Sequence, residues 1–141
     1  MTEATTDLSD LSPMWRERFA FFEQHGPLKT PEGRAAFNTL SYDQKLVITM
    51  NWRAFFFGII YLPMLGLWKR WLMLVATTVV GVAAAILIPV TVQGVSLTLV
   101  VVVAFFAAAA SSTNYAYYLK RTSGEDSYNL FVGQRWQRTW F

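Results

Sequence analysis

Residues 71–119 read WLMLVATTVVGVAAAILIPVTVQGVSLTLVVVVAFFAAAASSTNYAYYL, 49 consecutive positions without an Asp, Glu, Lys or Arg. Across all 141 residues, 54% are hydrophobic and 15% charged, whereas a soluble domain carries roughly 25% charged residues. A soluble domain of this size has no core able to take in so long an apolar run, so the chain is read as integral to a membrane. The composition also excludes a disordered chain, a disulfide scaffold and a multidomain enzyme. Residues 71–90 amount to roughly 30 Å of helix at about 1.5 Å per residue, the thickness of the hydrocarbon core. Pro89 and Gly94 bracket a turn with Thr91, Gln93 and Ser96 as its polar members. Residues 97–118 form the returning span.

The ends of this hairpin carry interfacial markers. Trp68 and Trp71 stand at the start, and Tyr115, Tyr117 and Tyr118 at the finish, as in an aromatic belt. Lys69 and Arg70, Lys120 and Arg121 flank the uncharged run, where lipid headgroups favour cations. By the positive-inside rule both ends face the cytoplasm and the 91–96 turn faces outward. The C-terminus is therefore expected in the cytoplasm.

Upstream, residues 46–68 are apolar but contain Asn51 and Arg53. From Ala54 to Trp68 the chain is charge-free for 15 residues, about 22 Å of helix, which falls short of the ~30 Å core. Gly58, Pro63 and Gly66 interrupt it. The preferred expectation is a re-entrant segment with its freed backbone groups covered by protein. The competitor is a tilted third span with Arg53 snorkelling to the interface. If the segment does not cross, the N-terminus is cytoplasmic too.

Residues 1–45 are expected to hold a polar tail and short amphipathic helices. Ser12-Pro13 pairs an N-cap with proline at the first helical position. Trp15, Phe19 and Phe22 then follow on one stripe, and Gly26-Pro27 ends that helix. The stripe packs either on other protein or on the membrane surface. Thr30-Pro31-Glu32 opens a second helix, and Ser41 with Gln44 three residues on matches a capping box for a third. Acidic residues from Glu3 onward leave no secretory h-region, so insertion is expected to depend on the internal apolar segments.

Residues 119–141 form an expected interfacial tail. Arg135 and Arg138 alternate with Trp136, Trp140 and Phe141, which suits a lipid headgroup surface or a partner protein there. Membrane proximity favours that contact over nucleic acid.

Little catalytic chemistry is encoded. The net charge is +3 and the pI about 9.4, and the flanking cations account for that without nucleic acid. There is no cysteine and only His25, so no Cys- or His-based metal site is expected. No glycine-rich phosphate motif or nucleophile elbow is present, and no cofactor is expected. The two spans lack acids and bases, which argues against a self-sufficient pump or transporter. They carry small residues at helical spacing instead: Thr77, Gly81 and Ala85, then Ala104, Ala108 and Ser112. Such faces pack the two spans on each other or dock helices of another protein. Arg53 either snorkels to the interface or pairs with Asp43, a lipid phosphate or an acid on another protein. The candidate partner or lipid contacts are Asn51, Arg53, Phe55, Phe56, Tyr61, Gly81, Ala85, Ala104, Ala108, Arg135, Trp136 and Trp140.

The stretch Asn51-Trp52-Arg53-Ala54-Phe55-Phe56-Phe57-Gly58-Ile59-Ile60-Tyr61, with Gly66-Leu67-Trp68-Lys69-Arg70 after it, resembles the signature of a family of small bacterial inner-membrane proteins, domain of unknown function 2628. Trp15-x-x-x-Phe19-Ala20-Phe21-Phe22 and Gly26 are similar to that family's N-terminal helix. The likeness covers about residues 14–120. The family usually has proline where Ile59 stands, which leaves Pro63 to supply the break. The resemblance implies a bacterial inner-membrane location and no activity. A looser likeness, resting on no motif, is to a small accessory subunit of mycobacterial mammalian-cell-entry lipid importers. The expected function is that of a non-catalytic accessory subunit of a larger membrane complex, with a lipid transporter as preferred host. The alternative is a stand-alone regulator or immunity-type protein with a transient partner.

Overall fold

The structure, a computed structural model, describes residues 8–133. Among these the chain forms six helices and one two-stranded hairpin. Helix α1 (Pro13–His25) opens on Ser12 in an extended conformation, with proline inside the first turn. A missing N–H costs nothing at that position. The Ser12 side chain makes no capping bond, although the sequence placed it as a cap. For α2 (Pro31–Thr39), Thr30 Oγ1 accepts from the Gly33 N–H at 3.1 Å. For α3 (Tyr42–Thr49), Ser41 and Gln44 form the full capping box.

Helix α3 stops at Met50, which is extended. Asn51 then caps α4 (Trp52–Met64) by accepting the Ala54 N–H at 3.1 Å. Helix α4 is itself two short helices, because Phe57 leaves helical geometry with φ −123° and ψ 21°. Pro63 has no N–H to offer the carbonyl four residues earlier. That carbonyl belongs to Ile59, and Trp71 Nε1 donates to it at 2.7 Å instead. The segment ends in a Schellman motif: Gly66 N–H donates to Pro63 O and Leu67 N–H to Leu62 O. Gly66 supplies the required left-handed φ of 75°.

Helices α5 (Trp68–Leu87) and α6 (Leu97–Ser123) run antiparallel, with Arg70 beside Ser112 and Gly81 beside Val102. Strands β1 (Thr91–Val92) and β2 (Val95–Ser96) join them. Gln93 and Gly94 both take positive φ, the signature of a two-residue type I′ turn. Three stretches are apolar and long enough to cross a membrane: Tyr42–Met64, Trp68–Leu87 and Leu97–Ser123. The first is one run only across the break at Met50 and Asn51.

The cores cluster at one end of the α5–α6 pair. Leu11, Trp15 and Phe19 pack with Leu62, Leu67, Leu74, Ala109, Ala116 and Tyr117, while Phe21, Phe22 and Ile48 form a second cluster. The aromatic stripe of α1 therefore packs on protein. Trp15 meets Tyr117 at 4.7 Å, Phe22 meets Tyr115 at 5.1 Å and Phe19 meets Tyr118 at 5.3 Å between ring centroids. The three tyrosines expected in an aromatic belt are engaged in this packing. Beyond Leu74 on α5 and before Ala109 on α6, no described residue is buried. The outer halves expose Val79, Val80, Ile86, Leu99, Val101 and Val103 instead.

Candidate functional site

The chemistry-bearing side chains gather where α3 breaks into α4. A helix leaves its last carbonyls without N–H partners, and at membrane depth each such group costs several kcal/mol. Two residues from other helices supply the missing donors. Arg18 of α1 donates through Nε to Val47 O at 2.7 Å and through Nη2 to Met50 O at 3.1 Å. Asn114 of α6 donates through Nδ2 to Ile48 O at 2.9 Å and to Val47 O at 3.4 Å. Asn51 Nδ2 donates to Asn114 Oδ1 at 3.0 Å, which ties the break to α6 directly. Asn114 is 0% exposed, and its bonds with Ile48 O and Asn51 Nδ2 lie out of water.

Arg18 also stacks over Trp15, 4.6 Å from the ring centroid. Burial is the main reason its guanidinium pKa drops to about 10; nearby Tyr61 opposes the drop and the like charge of Arg53 adds to it.

A second polar knot lies at the base of α5. Arg70 was expected at the headgroups but is only 1% exposed. It donates to the carbonyls of Ala109, Asn129 and Leu130 and to Ser112 Oγ. The chain after α6 folds back over the start of α5 and covers it. A buried arginine is tolerable only when its donors are met, and the carbonyls of this return segment meet them. Nε alone has no partner among the described residues.

The other expected contact residues fall in three groups. Asn51 was expected to meet a partner or lipid, but it is buried and satisfied internally by Asn114 and Ala54. Arg53 is exposed and forms no ion pair with Asp43. Phe55 and Tyr61 are half-buried and Phe56 is exposed, its ring stacked on Trp52 at 6.1 Å. On the hairpin, a Cβ on Gly81 would lie 2.5 Å from Val102 Cγ2, so α5 and α6 approach closely there. Ala85 and Ala108 are half-buried and Ala104 is exposed. Arg135, Trp136 and Trp140 lie outside the described residues.

Sequence reasoning passed over Arg18 and Asn114 and placed Arg70 at the headgroups, not in the interior where it lies. A lone carboxamide in an apolar helix was a readable signal for Asn114, since such a group seeks a partner. Among the described residues no three His, Cys, Asp or Glu side chains gather as a metal site would require.

The fold defines a class: a helical protein with three segments apolar enough to cross a bilayer, the first broken and sealed by its own polar side chains. The chain belongs to the family described as Protein of unknown function (DUF2628), which it matches over residues 2–122. It is similar to the uncharacterized protein YigF of Escherichia coli, 36% identical over 124 residues, covering 85% of this chain and 92% of YigF. The YigF proteins of Salmonella typhimurium and Salmonella typhi show the same identity and coverage. No solved structure matches the chain.

Proposed function

We propose that this protein is a non-catalytic accessory subunit of a larger complex in the bacterial inner membrane, with a lipid transporter as the preferred host. The observation that carries this reading is the groove between the outer halves of α5 and α6. It has a volume of about 550 Å³ and is lined by Ala76, Thr77, Gly81, Ala84, Val102 and Phe105. Small residues admit close approach of another backbone, and the chain's own side chains leave the groove unfilled. Its fitting occupant is a transmembrane helix of the host. Asn51, Asn114 and Arg70, by contrast, turn inward and are consumed in holding the fold.

In this reading α5 and α6 are the two spans and residues 42–64 are re-entrant. Asn51 sits beside Asn114, Gly58 beside Leu74, and Gly66 beside Lys120. The segment thus goes deeper along α5 and α6, bends at Phe57 and returns to the end it left. Lys69, Lys120 and Arg121 mark that end, so the positive-inside rule assigns it, with both termini, to the cytoplasm.

Affinity purification from native membranes in mild detergent tests the role. A stoichiometric larger partner is expected, and it should be lost when Ala76→Leu and Ala84→Leu fill the groove. Recovery as free monomer at every detergent concentration would sink the proposal. A complex seen only when a transient partner is expressed would instead mark a stand-alone regulator.

A further inference from the structure

We propose that the cleft between the N-terminal ends of α1 and α4 binds the phosphate of an anionic phospholipid headgroup. This cavity of about 460 Å³ is lined by Ser12, Trp15, Arg18, Trp52, Arg53 and Tyr61 among others, with no acidic residue in its wall. Four features converge on an anion. Two guanidinium groups share the cavity. Arg18 spends Nε and Nη2 on carbonyls, and Nη1 takes part in neither bond. Arg53 is exposed and has no ion pair among the described residues. The cavity is also where α1, a continuous helix of 13 residues, begins, so the positive end of its dipole faces it. The Ser12 side chain leaves the first-turn N–H groups of α1 uncapped.

A phosphate in such a place gains charge-assisted and bidentate hydrogen bonds from arginine. It also relieves the mutual repulsion of Arg18 and Arg53, which are like charges facing each other across a partly buried site.

The surface beyond the cavity favours a lipid over free phosphate. Trp52 and Phe56 before the break at Phe57, and Ile60 and Met64 after it, are each more than half exposed. Trp52 lines the cavity and stacks on Phe56, so apolar surface for acyl chains begins at the cavity's mouth. Trp52 and Tyr61 stand where aromatic side chains favour the membrane–water boundary. The inference rests on the membrane reading of α4 and is independent of the accessory-subunit role.

The test uses the full chain in nanodiscs of phosphatidylcholine doped with phosphatidylglycerol, with retained lipid counted by native mass spectrometry. Phosphatidylglycerol should be enriched over phosphatidylcholine. Arg53→Gln should cut that enrichment about fivefold, the scale of one cation at a lipid surface, and Arg53→Lys should restore most of it. Because Arg53 is exposed, the unfolding midpoint of Arg53→Gln should match wild type, which separates a lost ligand from a lost fold. Equal enrichment in wild type and Arg53→Gln would overturn the site. Displacement of the lipid by millimolar inorganic phosphate would overturn the lipid as its ligand. A chain that does not enter the nanodisc would refute the membrane reading itself, whereas one that enters without headgroup preference refutes only this site.

Discussion

Asn114→Leu removes the side chain that closes the break between α3 and α4. Three hydrogen bonds go with it: two to Ile48 O and Val47 O, and one from Asn51 Nδ2. Val47 O keeps its bond from Arg18. Two groups are therefore orphaned, the Ile48 carbonyl and the Asn51 amide, with Asn51 only 2% exposed. An unsatisfied buried polar group costs about 1–3 kcal/mol, so the substitution should destabilise by about 2–6 kcal/mol. At the ~0.6 kcal/mol that hydrogen bonds within bilayers average, three lost bonds come to about 1.8 kcal/mol, which places the result near the bottom of that range. Reversible unfolding by SDS in mixed micelles, followed by the fluorescence of the six tryptophans, measures it. The double variant with Asn51→Leu removes one orphan while also losing the α4 cap. Its cost should therefore fall short of the sum of the single variants by about 1–2 kcal/mol. A loss below about 0.5 kcal/mol for Asn114→Leu, or strict additivity in the double variant, would refute the view that this knot holds the break together.

Three further outcomes are expected. Gly81→Val should push α5 from α6 at Val102 and cost about 1–3 kcal/mol by overpacking; Val102→Ala in the same chain should recover most of it, as the SDS midpoint would show. Arg70→Lys keeps the charge but cannot reach four oxygens on two segments, α6 and the return after it, so hydrogen exchange around Asn129 and Leu130 should accelerate, while Lys69→Arg leaves it unchanged. Asp10 is held below the usual carboxylate range by its hydrogen bonds to Arg121. Its folded pKa lies under the unfolded one, so its contribution is present above the unfolded value and is lost as pH falls through the folded value. Limited proteolysis near residues 8–12 should rise at strongly acidic pH, and Asp10→Asn should abolish that dependence.

Where local chemistry decided the structure, the sequence was readable. The Ser41–Gln44 box, the Thr30 cap and the Gly26 stop all lie within four residues of the groups they serve. The apolar stretches were legible because membrane solvation acts on every residue of a run. Arg70 was misplaced because a cation at the edge of an uncharged run satisfies the positive-inside rule equally well exposed or buried. What distinguishes the two is a chain return about 60 residues later, and no spacing encodes that. Arg18 and Asn114 were missed for the same reason, since the carbonyls they serve become available only when α3 stops at Met50. Ile59 shows a mixed case: Pro63 announced that a carbonyl would be freed, but only the fold shows that Trp71 takes it.

The proposed return of residues 42–64 to the side they left can be measured directly. The chain has no cysteine, so single-cysteine variants report sidedness without background. Asp43→Cys, Lys69→Cys and Val92→Cys place the probe at exposed positions before the broken segment, after it and in the β-turn region. Labelling with a membrane-impermeant maleimide, in intact spheroplasts and in inverted vesicles, should find positions 43 and 69 on the cytoplasmic face and position 92 outside. Positions 43 and 69 labelling from opposite faces would contradict the re-entrant fold and make residues 42–64 a third span.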